Sequence, residues 1–274
     1  MMHDRLKDRL RPERPAPRAA LVTGATGGLG EAFARALPAT TDLVLTGRDP
    51  EKLAALEAEF GSRARIVTAD LATEEGVDAV VRAANAAGCD LVINNAGVGA
   101  VGRFTEVDFA RHRDTLRIDV EALLALTHAL MPAMIERAAQ SGTRAGLINV
   151  SSSTAFVPVP TFATYAAAKA LVLSFTEALA AEMDGEPIDI LCACPGPVRT
   201  DFGARAGYKG AGMPGAMAPD KVARQTLSAL GRQTTVMIGP VSSATLAPVA
   251  LARSMVGQAF MKAGRVIDRV QSRD

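Results

Sequence analysis

The feature that most constrains this chain is an alternation of two hydrophobic periods along almost its whole length. Apolar runs of strand length fall at 19–23, 43–46, 65–68, 91–94, 146–151, 188–193 and 235–238. Stretches with helical spacing lie between them, near 29–37, 50–60, 73–87, 107–139, 162–184 and 219–230. The short runs are continuously apolar instead of alternating with polar residues, which is the pattern of strands covered on both faces. Such strands, each followed by a helix, predict one α/β domain: a doubly wound parallel sheet of about seven strands flanked by helices. A sheet of this kind binds ligands beyond the carboxyl ends of its strands.

Composition narrows the function. A net charge of +1 provides no basic field for holding nucleic acid. The three cysteines, Cys89, Cys192 and Cys194, are too few for a disulfide framework, and with three scattered histidines no metal-ligand cluster stands out. Buried thiols in a reducing cytoplasm are expected. Residues 1–18 alternate charge with proline and are expected to form a flexible arm ahead of a single domain, 19–274. That arm lacks the apolar core of a secretory signal, and no uninterrupted apolar stretch reaches the roughly 20 residues of a membrane span. Residues 203–217, rich in Gly and Met, read as a mobile loop, and about 242–271 as a helical extension. The basic residues beside the apolar stripe of that extension (Arg253, Lys262, Arg265, Arg269) are expected to flank packing on the sheet or a partner subunit in preference to a membrane surface.

The first strand runs into Gly24-Ala-Thr-Gly27-Gly28-Leu-Gly30 and then a helix. Glycines at this place let the backbone turn sharply and approach a pyrophosphate at the helix N-terminus. The spacing is not GxGxxG, and no Lys-Ser/Thr follows to make a Walker loop. The second strand ends at Thr46-Gly47-Arg48-Asp49. An acidic residue at that strand end would accept from the ribose 2′-hydroxyl of NAD, whereas Gly47 leaves room and the Arg48 guanidinium can fork onto a 2′-phosphate. NADP(H) is therefore expected over NAD(H), although Arg48 could equally face solvent and Asp49 keeps NAD open.

Tyr165 and Lys169, four residues apart, share a helix face. A phenol with pKa about 10 is poorly matched to proton exchange at neutral pH, and a neighbouring ammonium, joined by the positive nicotinamide ring of an oxidised cofactor, would lower it by favouring phenolate. Ser152, at the carboxyl end of a predicted strand, offers a hydroxyl to a substrate oxygen, with Ser151 and Ser153 close enough that spacing alone does not choose. Phe156, Val157, Pro158, Pro160 and Phe162 follow the serines, and Phe202, Tyr208, Met213 and Met217 populate the glycine-rich segment. These side chains would suit an apolar or amphipathic ketone, aldehyde or alcohol.

TGATGGLG, Asn94-Asn-Ala96-Gly97, Ser152, YAAAK and Pro195-Gly196-Pro-Val198-Arg-Thr200 occur in the order of the short-chain dehydrogenase/reductase family, a Rossmann-type fold, and residues 19 to about 202 resemble it. The helix LTHALMPAM, 126–134, is similar to carbonyl-reductase-like bacterial members. The resemblance implies Tyr165 as general acid in reduction and base in oxidation, Lys169 on the nicotinamide ribose, and Ser152 polarising the substrate. It implies cofactor contacts from Gly24, Thr26, Gly28, Leu29 and Gly30. It puts Asp70 and Leu71 at the adenine, though Asp70 or Thr73 could instead cap the following helix. Asn94, Ala96 and Gly97 would support the central strand and adenosine side, Pro195, Gly196 and Val198 would shape the nicotinamide pocket, and Thr200 would hold the carboxamide. A homodimer or homotetramer through 107–139 and 162–184 is implied too, with His112 and His128 in packing or interface roles.

One departure stands out: the family's proton relay includes an Asn where this chain has Asp119. A carboxylate there is harmless if the main-chain carbonyl holds the relay water, and could trap Lys169 if the side chain matters. Retained activity is the expectation. The alternatives are a cofactor-binding regulatory or scaffold protein with reduced turnover, and an isomerase or dehydratase on the same fold.

Overall fold

The computed structural model describes residues 15–208, 215–239, 246, 248, 249, 252 and 253. Seven parallel strands form one sheet in the order β3-β2-β1-β4-β5-β6-β7. They are β1 (Ala19–Val22), β2 (Asp42–Gly47), β3 (Ala64–Thr68), β4 (Leu91–Asn94), β5 (Ala145–Val150), β6 (Ile188–Pro195) and β7 (Thr235–Ile238). All seven coincide with the apolar runs read from the sequence, to within two residues at each end. The order reverses between β1 and β4, which opens a crevice at their carboxyl ends.

The helices α1 (Gly28–Ala36), α2 (Pro50–Phe60) and α3 (Glu74–Ala86) follow the first three strands. α4 (Phe109–Leu116) widens into a π-turn at Arg117–Glu121 and continues as α5 (Ala122–Ser141); α6 (Ala163–Glu182), a short α7 (Phe202–Ala206) and α8 (Pro219–Ala229) complete the set. By length and composition the 33 residues Phe109–Ser141 would pass for a membrane span. Their apolar side chains Leu126, Leu130 and Met134 instead pack into the core with Val92 and Leu147 of the sheet. The other sheet face is covered by α1, α2 and α8, with Phe33, Leu53 and Ala223 buried.

Two sequence expectations are revised. Pro17 and Arg18, assigned to the arm, are tied to the domain: the Thr41 hydroxyl donates to the Pro17 carbonyl at 2.8 Å and the Arg18 amide to Asp90 at 3.1 Å. Residues 203–206 of the supposed mobile segment belong to α7, and Met217 makes a bridge with Val198. Of the helical extension, 246, 248, 249, 252 and 253 are helical, and Arg253 donates to Glu177 at 3.0 Å, while the rest of it, with Lys262, Arg265, Arg269 and also Met213, lies outside the described residues.

A buried polar ladder joins the sheet to the two long helices. Asn94 of β4 donates to Thr127 of α5 at 3.2 Å and to Asn149 of β5 at 2.9 Å, and Asn149 donates to Thr176 of α6 at 3.0 Å. Strand alternation dictates this. Val92 and Leu147 face the α5 side of the core, so Asn94 and Asn149, two residues on, face it as well. Asn149→Ala should therefore remove two buried hydrogen bonds, one from the Asn94 amide and one to the Thr176 hydroxyl, at a cost of about 0.5–1.5 kcal/mol for each. Urea unfolding measures this, and a loss below about 0.5 kcal/mol would show the ladder to be dispensable.

Candidate functional site

A cleft of about 660 Å³ lies along the carboxyl ends of the strands, from Arg48, Asp70 and Leu71 at one end to Ser152, Tyr165 and Phe202 at the other. Its floor is the glycine turn. Gly24 has φ +65°, and a Cβ there would stand 2.8 Å from the Ala96 Cα, so the turn fits against the Asn-Ala-Gly segment only without a side chain. A Cβ on Gly28 would meet Thr200 at 2.9 Å, which brings the segment after β6 down onto the same turn. Gly47 is equally confined, by Thr26 at 2.7 Å.

Most expected cofactor positions line this cleft: Gly24, Thr26, Gly28, Leu29, Gly30, Arg48, Asp70, Leu71, Ala96, Gly97, Pro195, Gly196, Val198 and Thr200. Asn94 does not. It belongs to the buried ladder, because its side chain points to α5. The cleft residue is Asn95, whose amide donates to the Thr23 carbonyl at 2.9 Å and fixes the glycine turn to β4. Asn95 escaped the sequence reading, although alternation from Val92 identifies it. Asp70 does not cap α3. Thr73 does, accepting from the Gly76 amide at 3.1 Å, while Asp70 accepts from Ala72 and stays exposed at the cleft edge. Asp49 caps α2, accepting from the Lys52 amide at 3.1 Å.

At the other end Tyr165, Lys169 and Ser152 come together, all buried. The Lys169 ammonium lies 5.6 Å from the Tyr165 ring centroid and donates to the Val150 carbonyl at 3.0 Å. Of the three serines, Ser151 is committed, its hydroxyl donating to the Lys169 carbonyl at 2.7 Å, while Ser152 stands beside the phenol and accepts from the Thr154 amide. Among the aromatics expected to form a substrate wall, Phe162, Phe202 and Tyr208 line the cleft. Phe156 packs instead against Leu173, Cys192 and Cys194 in the core. The thiols of Cys192 and Cys194 lie 3.7 Å apart, buried and unlinked. His112 is buried between α4 and α6, bonded to the Thr164 hydroxyl at 2.9 Å, whereas His128 is exposed.

Asp119 sits in the π-turn, fully buried, with its Oδ2 2.9 Å from the Lys169 ammonium. Its Oδ1 accepts from the Val98 amide at 2.7 Å. A Cβ on Gly97 would stand 3.0 Å from Asp119 Oδ2 and 3.3 Å from Lys169 Nζ, so this glycine makes the space the ion pair occupies. Asp119 does not touch the cleft and acts through Lys169.

These charges set the proton affinities. Burial pushes the Asp119 carboxyl up, against the opposing pull of Lys169 and the Val98 amide. Lys169 is raised, because the attraction of Asp119, with Tyr165 behind it, outweighs a burial effect that would lower it. Tyr165 is raised first by burial; the ammonium opposes this, Asp119 adds to it, and the Ser152 hydroxyl lowers it. The lysine thus works in the expected direction, while burial leaves the sum of the protein's own groups upward. The trio can hold a polar oxygen between a hydroxyl and a phenol and exchange one proton with it.

The sequence profile of the short chain dehydrogenase family matches residues 18–209, and the chain belongs to that family. It is 36% identical over 182 residues to nodulation protein G of Rhizobium sp. (strain N33), covering 65% of this chain and 72% of that protein. It is 33% identical over 188 residues to sulfoacetaldehyde reductase 2 of Chromohalobacter salexigens, covering 66% and 73%. The fold superposes on a short-chain dehydrogenase from Sphingobium yanoikuyae in complex with NADPH, with TM-score 0.76, 28% identity and coverage of 89% and 94%. It also superposes on 3-ketoacyl-(acyl-carrier-protein) reductase from Brucella melitensis complexed with NADH, with TM-score 0.72, 28% identity and coverage of 81% and 95%. The chain is an oxidoreductase of this family, and the cleft suits a nicotinamide dinucleotide.

Replacing Lys169 by Met should leave the Asp119 carboxylate buried without its counter-ion, at a cost of about 3–5 kcal/mol. The double variant Asp119→Asn with Lys169→Met should recover most of that in denaturant unfolding, since Asn still accepts from Val98. No recovery would mean that the loss does not come from the orphaned charge.

Proposed function

We propose that the protein is an NADP(H)-dependent reductase or dehydrogenase that interconverts a carbonyl and an alcohol. The observation that carries this reading is the convergence of Ser152, Tyr165 and the charge-anchored Lys169 at one end of a cleft whose far end is Arg48. When bound, the dinucleotide supplies or accepts hydride at the substrate carbon. Ser152 donates a hydrogen bond to the substrate oxygen, which holds it against the phenol. In reduction Tyr165 gives its proton to that oxygen as the carbon gains hydride, and in oxidation the phenolate takes the proton back. Lys169 would hold the nicotinamide ribose and favour the phenolate. Asp70 and Leu71 would take the adenine, Thr200 would hold the carboxamide, and Pro195, Gly196 and Val198 would wall the nicotinamide.

Arg48 selects NADP(H) because it is the exposed cation at the end of β2: Asp49 accepts from the Lys52 amide as the cap of α2, and Gly47 has no room for a side chain. The substrate is a ketone, aldehyde or alcohol with apolar surface, matched to Phe162, Phe202 and Tyr208. The exposed Phe109 and Leu116 of α4 and Leu171 of α6 belong to a homo-oligomeric interface.

Calorimetric titration of the purified protein should show NADPH binding more tightly than NADH, with Arg48→Ala erasing the difference. A wild-type preference for NADH would refute the Arg48 reading, and binding of neither would refute the cofactor reading as a whole. Tyr165→Phe should keep cofactor binding and lose about a hundredfold or more in turnover.

The phenol's raised proton affinity fixes the sign of the pH dependence. Its acid form persists through neutral pH, so reduction should hold up there, while oxidation, which needs phenolate, should climb as the pH rises. Asp119→Asn removes one cause that holds Tyr165 up. The rising limb of alcohol oxidation should move to lower pH, with plateau turnover changed by less than about tenfold. A limb that stays in place or moves upward, or a gain of orders of magnitude, would count against this account.

A further inference from the structure

Arg205 lies in the last turn of α7, and its side chain reaches across the cleft to the glycine turn. A Cβ on Gly27 would stand 3.4 Å from Arg205 Nη2, and both residues line the cleft. Among the described residues no carboxylate forms an ion pair with this guanidinium. A guanidinium is a rigid fork of five donors matched to carboxylate or phosphate. Here it is set over backbone that has no side chain to offer it. The glycine turn below presents donors too, since Gly27 precedes α1 with no side-chain cap on the helix amides.

The placement of Arg205 is built, not accidental. The Val101 amide donates to the Ala206 carbonyl at 2.9 Å. Arg111 of α4 donates to the carbonyl of Arg205 itself at 3.0 Å and to that of Gly99 at 3.3 Å. A Cβ on Gly99 would stand 3.0 Å from the Ala206 Cβ and 3.3 Å from Phe202, so the bare backbone of Gly99 lets α7 settle this close. One arginine thus pins the main chain of the other, and the pinned residue extends its charge over the turn.

We infer that Arg205 is a phosphate ligand of the dinucleotide, delivered from α7 and positioned by Arg111. This rests on the cofactor reading above. The chemistry recognised is a phosphate oxygen, and two sources fit: the pyrophosphate common to NADH and NADPH, and the 2′-phosphate that NADPH alone carries.

The test is calorimetric titration of wild type and Arg205→Gln with NADPH and with NADH. Arg205 is exposed, so the variant should fold as the wild type does, which the unfolding transition without cofactor checks. Loss of a charged hydrogen bond to phosphate should weaken binding about ten- to a hundredfold. An equal loss for both dinucleotides assigns Arg205 to the pyrophosphate, and a loss confined to NADPH assigns it to the 2′-phosphate. Unchanged affinity in a variant whose wild type binds would overturn the assignment alone, whereas a wild type that bound neither dinucleotide would overturn the cofactor reading beneath it. Arg111→Gln should weaken binding in the wild-type background and add little in Arg205→Gln, because it acts through the same side chain. An equal cost in both backgrounds would remove Arg111 from the arrangement.

Discussion

The arrangement of the site depends on one buried ion pair, Asp119 with Lys169. Two charges taken out of water lose several kcal/mol of hydration each, and their attraction offsets this only where further hydrogen bonds complete the geometry. Both conditions are met: the Val98 amide serves the carboxylate and the Val150 carbonyl serves the ammonium. The partners come from four segments, namely the loop after β4, the π-turn, the end of β5 and α6. Such a pair contributes little net stability against a hydrophobic filling, but it tolerates no relative shift of those segments. What it provides is position. The same four segments carry Ser152, Tyr165 and the wall of the cleft, so the pair fixes where the reacting groups stand. The polar ladder Thr127–Asn94–Asn149–Thr176 repeats the device deeper in the core and holds the same two helices.

That positioning has a chemical consequence. An ammonium with no counter-ion would draw Tyr165 strongly toward phenolate. Here part of its field is cancelled by a carboxylate 2.9 Å away, and burial of the phenol is left as the dominant influence. The site therefore keeps the phenol protonated, the state that proton donation requires. The lysine is anchored without being neutralised. A site with Asn at the same position would keep the anchoring amide contact and lose the cancellation, so the Asp sets proton affinity as well as position.

Much of this was legible in the sequence, and the reasons differ from residue to residue. The seven strands were readable because each is covered on both faces and so is apolar without interruption. Gly24, Gly28 and Gly30 were readable because a close backbone approach excludes every other residue. Spacing alone did not choose among the three serines, and the resemblance pointed to Ser152, yet the information was present. Leu147, Asn149 and Ser151 share one face of β5, the face that α6 covers, so Ser151 is bound to be consumed there. The same alternation separates Asn94 from Asn95. What the sequence reading did not separate was the π-turn, since 107–139 reads as one continuous helical stretch. Nor did it contain α7, where short-range composition, rich in Gly, was overridden by contacts to residues a hundred positions earlier, among them Arg111 and Val101.

The two ends of the cleft solve opposite electrostatic problems. At the reacting end, charge is buried, paired and held by fixed dipoles, because a proton has to move there in a dry, invariant geometry. At the other end the arginines Arg48 and Arg205 are exposed at the cleft surface, where a guanidinium keeps its hydration. A buried cation at that end would have to be paired in advance, and the pairing carboxylate would then repel the phosphates it was meant to receive. The sequence places its buried acid at 119, beside the lysine, and commits the acid nearest Arg48 to a helix cap. That division leaves positive charge free where anionic ligand arrives and balanced charge where the chemistry occurs.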